Sequence, residues 1–192
     1  NAGISACEKG DQWQRVMLLL GEMREAKVEA NAFSYSAGIS ACEFGAKWQQ
    51  GLSLLREMGE AELEANAISY SAGIGACETG RHWQWALILL GEMRVAELQA
   101  DLMAYTAGIS ACEKGGQWQW ALSLLSEMLE LTLEPDVIIY SVGIRACENG
   151  KQWERALSLL RELGPHVMSY SAGIRACETG KQWQQALSLL SE

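Results

Sequence analysis

Tyr35-Ser36-Ala37-Gly38-Ile39-Ser40-Ala41-Cys42-Glu43 is the stretch that decides the fold, because close copies of it begin at Tyr70, Tyr105, Tyr140 and Tyr170. Each copy is followed by a Gly, a short polar step and a Trp. The glycines are Gly10, Gly45, Gly80, Gly115, Gly150 and Gly180; the tryptophans are Trp13, Trp48, Trp83, Trp118, Trp153 and Trp183. Self-similarity at a fixed period marks a repeat architecture. The period here is 35 residues, with one step of 30 between Tyr140 and Tyr170.

The unit from 32 to 66 shows what each half builds. At about 100° per residue, Tyr35, Gly38, Ile39 and Cys42 share one helical face, which reads as buried. A Gly inside a helix costs about 1 kcal/mol relative to Ala, so Gly38 and its equivalents predict the close approach of another helix. Gly45, just after Cys42-Glu43, suits the left-handed cap that ends a helix. Downstream, Trp48, Leu52, Leu54, Leu55 and Met58 form a broad apolar stripe opposite Ser53 and Glu57, the pattern of a packed surface helix. A single hairpin cannot cover that stripe, and neighbouring hairpins must supply the missing wall. The expected fold is all-α: a right-handed α-solenoid of tandem 35-residue helix-turn-helix repeats.

Counted from Ala32, a partial unit 1–31 precedes whole units 32–66, 67–101 and 102–136; a short unit 137–166 and a partial unit 167–192 follow, all within one array. Setting Leu163-Gly164-Pro165-His166-Val167 beside the segment from Met128 to Val137 places the five missing residues in the connection between hairpins. Both helix patterns are expected to survive there, with a local change in twist. The chain opens inside one unit and stops inside another. It is therefore expected to be a piece of a longer array, with sticky end surfaces and any targeting segment elsewhere.

Composition narrows function by exclusion. The longest uncharged apolar stretches, such as Ala156 to Leu160, fall far short of the roughly 20 residues that cross a bilayer, so no membrane partner is expected. Cys7, Cys42, Cys77, Cys112, Cys147 and Cys177 are one repeat position seen six times. With no CxxC pair, and with His82 and His166 in unrelated contexts, they read as small buried thiols, and neither a metal nor another cofactor is expected. The chain has no Walker-type GxxxxGK[ST], no HxE with PCxxC and no Ser-His-acid constellation. It is therefore expected not to be an enzyme and to take no small-molecule substrate. A formal charge of -9 opposes generic capture of polyanions.

A 35-residue helical hairpin with Tyr at its fourth position, Ile at the eighth, Gly at the fourteenth, Ala-Leu near the twentieth, Met at the twenty-seventh and Pro-Asp at its end resembles the pentatricopeptide repeat family. The clearest copy lies around Ala121-Leu122, Glu127-Met128 and Pro135-Asp136. The resemblance covers essentially the whole chain, whereas tetratricopeptide repeats have a period of 34 and a different signature. It implies single-stranded RNA as the partner, read one base per repeat, in organellar RNA processing, stability or translation in a chloroplast or mitochondrion. It further implies that the fifth and last residues of a unit select the base: Asn1 with Asn31, Ser36 with Asn66, Ser71 with Asp101, and Thr106 with Asp136. Ser141 and Ser171 are the fifth residues of the units that follow. The residues implied to pack beside the bases are Phe33, Ile68, Leu102, Ile138 and Met168. The family's pairing rules then imply a pyrimidine-A-G-G core, read 5′ to 3′.

The helical count agrees in part. Phe33, Ser36, Ser40 and Glu43 fall along a second face, which reads as a solvent-facing strip whose hydroxyls can donate and accept. Asn31, Asn66, Asp101 and Asp136 equally suit helix N-caps, worth about 1 kcal/mol each. Glu8, Glu43, Glu78, Glu113, Glu148 and Glu178 approach the same strip and oppose phosphate. Lys9 and Lys114 follow such a Glu, and Arg145 and Arg175 add positive charge, so weak or strongly salt-sensitive binding is expected. The alternative is a protein-interaction scaffold that holds a basic or extended partner in its concave groove. The pairing of Ser or Thr with Asn or Asp favours RNA, since a peptide scaffold has no reason to keep it.

Overall fold

The computed structural model describes residues 13–25, 30–163 and 167–181. Among the described residues there are ten α-helices and no strand: α1 (Trp13–Glu25), α2 (Ala32–Phe44), α3 (Trp48–Glu60), α4 (Ala67–Thr79), α5 (Trp83–Val95), α6 (Leu102–Lys114), α7 (Trp118–Glu130), α8 (Val137–Asn149), α9 (Trp153–Leu163) and α10 (Val167–Thr179). The chain is thus an all-α array of helical hairpins, the α-solenoid class. The first helices begin at the residues that open the units, 32, 67, 102, 137 and 167, because the last residue of each unit is a capping Asn or Asp wherever it is described. Helix α9 has 11 residues against 13 in its counterparts. The shortened connection itself, 164–166, lies outside the described residues.

The chain forms two compact units, Asn1–Gly108 and Ile109–Glu192. In the first, α2 packs on α4, and α3 packs against both. Val16, Leu20, Ile39, Cys42, Leu54 and Met58 close its core. In the second, α8 packs on α10 and α9 against both, around Ile144, Cys147, Ala156, Leu157, Leu160 and Cys177. The close approach expected at the mid-helix glycines is present. A Cβ on Gly38 would lie 2.9 Å from Leu20 Cδ1 and 3.1 Å from Leu54 Cδ1, and one on Gly143 would lie 3.2 Å from Leu125 Cδ2. The five described cysteines are free and buried, and burial pushes the Cys42 thiol up to about 11 and that of Cys77 to about 12.

The turn glycines have a different role from the one expected. Gly45 has φ −81°, and the left-handed residue is the next one, Ala46, at φ 51°. The Lys47 N–H donates to the Cys42 carbonyl at 2.8 Å, closing the six-residue loop of a Schellman motif whose left-handed position Ala46 fills. The same bond recurs from His82 to Cys77, Gln117 to Cys112 and Gln152 to Cys147. Gly45 is needed for space: the indole of Trp13, from the preceding hairpin, lies 2.5 Å from where its Cβ would be. Trp48 lies 2.8 Å from the corresponding point on Gly80, and Trp118 seats on Gly150 in the same way. Trp13, Trp48, Trp118 and Trp153 each lock their own hairpin onto the turn of the next.

Candidate nucleic-acid interface

In the four units whose last residue is described, that residue caps the following helix. Asn31 Oδ1 accepts from the Ser34 N–H, Asn66 Oδ1 from the Ser69 N–H, Asp101 Oδ1 from the Ala104 N–H and Asp136 Oδ1 from the Ile139 N–H, at 2.9 to 3.0 Å. All four side chains are nevertheless exposed. The cap occupies Oδ1, so what the side chain has left for a ligand is its second terminal atom. In Asn31 and Asn66 that atom is an Nδ2 donor; in Asp101 and Asp136 it is an Oδ2 acceptor.

The fifth residues divide into distinct environments. Ser71 donates to Asp101 Oδ1 at 3.3 Å, which brings together the pair that the sequence assigned to one base. The Thr106 hydroxyl donates to the Leu102 carbonyl at 2.6 Å and stays half-buried. Ser36 departs from the expected solvent-facing strip, being only 8% exposed. Its hydroxyl lies 2.8 Å from the Ala32 carbonyl and 2.7 Å from the Ser69 hydroxyl, and the Ser69 hydroxyl lies 3.1 Å from Asn66 Oδ1. Ser36 therefore reaches Asn66 through Ser69, a relay missed in the sequence although Ser recurs at the third position of the unit in Ser34 and Ser69. Ser141 is buried, and its hydroxyl has no hydrogen-bond partner among the described residues. Ser171 is exposed; Asn1 and the side chain of Met168 lie outside the described residues.

An apolar row stands at the second position. Phe33 is 54% exposed, Ile68 65% and Ile138 61%. Leu102 does not belong to this row: it opens α6 as Ala32 opens α2, so the equivalent residue is Met103, which is 69% exposed against 38% for Leu102. Large exposed apolar side chains at one repeated position give flat surfaces on which bases can stack.

The glutamate row follows a rule that the sequence did not disclose. In the second unit, Arg145 Nε lies 3.7 Å from Glu113 Oε1, and Asn149 Nδ2 donates to the same oxygen at 3.3 Å. Arg175 Nε lies 3.3 Å from Glu148 Oε2. The two Arg–Glu separations are 32 and 27 residues, so the five-residue deletion preserves the pairing. In the first unit, Glu43 meets Gly75 at the equivalent place, its carboxylate lying where a Cβ would be. Burial, reinforced by the Glu78 charge, pushes the Glu43 carboxyl up to about 7. Among the described residues no group of His, Cys, Asp and Glu could hold a metal ion, and no helix is long and apolar enough to cross a membrane.

Residues 88–150 match the family model described as the pentatricopeptide repeat domain. The maize pentatricopeptide repeat protein PPR10 superposes with a TM-score of 0.75 at 22% identity, over 98% of this chain and 28% of that one. The same protein in complex with an 18-nt psaJ RNA element superposes at 0.65 and 17% identity, over 98% of this chain and 32% of that one. This chain thus spans about a third or less of the length of that relative. The PPR domain of Arabidopsis thaliana protein-only RNase P 1, solved in complex with tRNA, matches at 0.79 and 14% identity over 95% of both chains. A comparison with curated proteins finds no match.

Proposed function

We propose that this chain, which belongs to the pentatricopeptide repeat family, binds single-stranded RNA along its first helices, one base per repeat. The observation that carries the reading is the double duty of the capping residues. Each spends Oδ1 on the helix and remains exposed with one terminal atom unspent. An Nδ2 donor on Asn66 suits the N1 acceptor of adenine, and an Oδ2 acceptor on Asp101 suits the N1–H and N2–H donors of guanine. Ser71, hydrogen-bonded to Asp101, fixes the carboxylate beside the base edge, and Ser36 does so for Asn66 through Ser69. Phe33, Ile68, Met103 and Ile138 give the bases apolar surfaces against which to stack.

The favoured core is pyrimidine-A-G-G, and the setting is organellar RNA processing, stability or translation. The chain's part in that work is binding; no catalytic step is assigned to it. The RNA-bound relatives support the ligand class. The test is fluorescence anisotropy with labelled CAGG, CAAA and scrambled single-stranded RNA at low and near-physiological salt. CAGG should bind best, and Asp101→Asn should shift the preference to CAAG. Equal binding of all three RNAs would defeat the base-reading proposal.

A further inference from the structure

The second helices carry a feature that RNA reading along the first helices does not use. Between α3 and α5 runs a groove of about 750 Å³, lined by Trp48, Tyr70, Trp85, Ile88, Glu60 and Glu92 among others. Three residues that vary along the repeat come together in it. Gly59 stands where three other hairpins have Arg24, Arg94 and Leu129 and a fourth has Gly164, and a Cβ on Gly59 would meet nothing within 4 Å. Trp85 takes the place of Arg15, Gln50 and Arg155, with Trp120 as a like counterpart, and Ile88 that of Ser53, Ser123 and Ser158, with Leu18 as an apolar counterpart. Trp85 and Ile88 are 42% and 45% exposed, so these apolar replacements enlarge the surface and leave the core unchanged.

The second unit has the sister groove, between α7 and α9, of about 400 Å³. There Leu129 stands in the place of Gly59 and Arg155 in that of Trp85, and the Arg155 guanidinium sits 5.1 Å over the Trp118 ring. The second unit thus covers its indole with a cation of its own. In the first unit that position is an indole, Trp85, with its ring 6.4 Å from that of Trp48, which also packs against the His82 ring at 3.9 Å, and the groove is lined by two carboxylates and Arg56. Glu60 pairs with Arg56 at 3.4 Å on the exposed side, whereas Glu92 faces Tyr70, whose phenol is pushed up by burial and by that charge.

We infer that the groove between α3 and α5 docks a basic peptide segment of a protein partner, seating an arginine or lysine of that segment among Trp48, Trp85 and Glu92 where the second unit uses its own Arg155. Aromatic faces with a nearby carboxylate attract cationic side chains, and the carboxylates repel phosphate, so a protein segment fits and a nucleic acid does not. The formal charge of -9 steers a basic partner toward the chain.

The test pans a displayed library of random 12-residue peptides on the protein and then measures the enriched peptides by anisotropy. The enriched sequences should carry Arg or Lys beside apolar residues. Trp85→Gln and Ile88→Ser restore what Gln50 and Ser53 are in the preceding hairpin, so the fold should persist, as circular dichroism will show. Each should weaken the peptides at least tenfold, and Glu92→Gln should weaken them several-fold and reduce their salt dependence, while CAGG binding stays unchanged. Enriched peptides without basic residues, or peptides that bind Trp85→Gln equally well, would overturn the inference. So would a concentration-dependent dimer that Trp85→Gln abolishes, which would make a second copy the occupant. Loss of CAGG binding in Asp101→Asn alone bears on the RNA reading and leaves this one standing.

Discussion

In the first unit the Glu43 carboxylate lies against Gly75 and beside Glu78, whereas in the second unit Glu113 and Glu148 each hold an arginine, Arg145 and Arg175. The fifth-position hydroxyl differs as well: Ser36 is hydrogen-bonded to Ser69 and to the Ala32 carbonyl, and Ser141 is buried without a partner among the described residues. The packing beneath is the same in both units, with a Trp on a turn Gly and a leucine against a mid-helix Gly. The repeat thus fixes the core and leaves the groove-side chemistry to vary from hairpin to hairpin.

The largest effects should show that the packing is common to both units. Gly45→Ala and Gly150→Ala each drive a Cβ into an indole, and each should cost about 2 to 3 kcal/mol in urea denaturation. Unequal losses would break the comparison at its base. Next come the serines, which should differ in sign. Ser36→Ala removes a buried partner of Ser69 and should cost about 1 kcal/mol, while Ser141→Ala removes an unpaired buried hydroxyl and should add about 1 kcal/mol.

The glutamates separate the units by pH. Because the folded Glu43 carboxyl titrates at about 7, above its ordinary 4.5, its stabilising contribution is complete below about pH 4.5, declines as pH rises to about 7 and is flat above that. Glu43→Gln should remove this decline and, after allowance for solvent screening of a half-buried group, raise stability at pH 8 by about 1 kcal/mol. Glu148→Gln breaks an exposed ion pair and should cost less than about 0.5 kcal/mol. Smallest in stability is Arg145→Gln, also under about 0.5 kcal/mol. If its guanidinium also contacts phosphate, the salt slope of RNA binding should fall by about 1.

The helices and their buried faces were legible because period, apolar spacing and turn residues all agreed. Tyr35, Ile39 and Cys42 are buried as the helical count requires. What escaped the sequence lay in the side-chain contacts between hairpins, the Ser71–Asp101 pair excepted. Counting around α2 places Ser36 beside the exposed Phe33, but Ser69 of the next first helix covers it. Gly45 read as a conformational cap because the indole that needs its space belongs to Trp13, on the preceding hairpin. The capping residues were legible as caps and as base-selecting candidates, but only the geometry shows one side chain serving the helix with one atom and keeping the other. Leu102 opens its unit, so the same 35-residue count that makes Thr106 the fifth residue makes Met103 the second.

The seat of each Trp has a spectroscopic consequence. Trp118 rests on the turn at Gly150, so its emission reports on the folding of the hairpin that follows its own, and Trp13 likewise reports on the turn at Gly45. A set of single-tryptophan variants would therefore read the array as a string of neighbour-to-neighbour latches. Each indole should move to the red when the turn ahead of it opens, whether or not its own helix has melted.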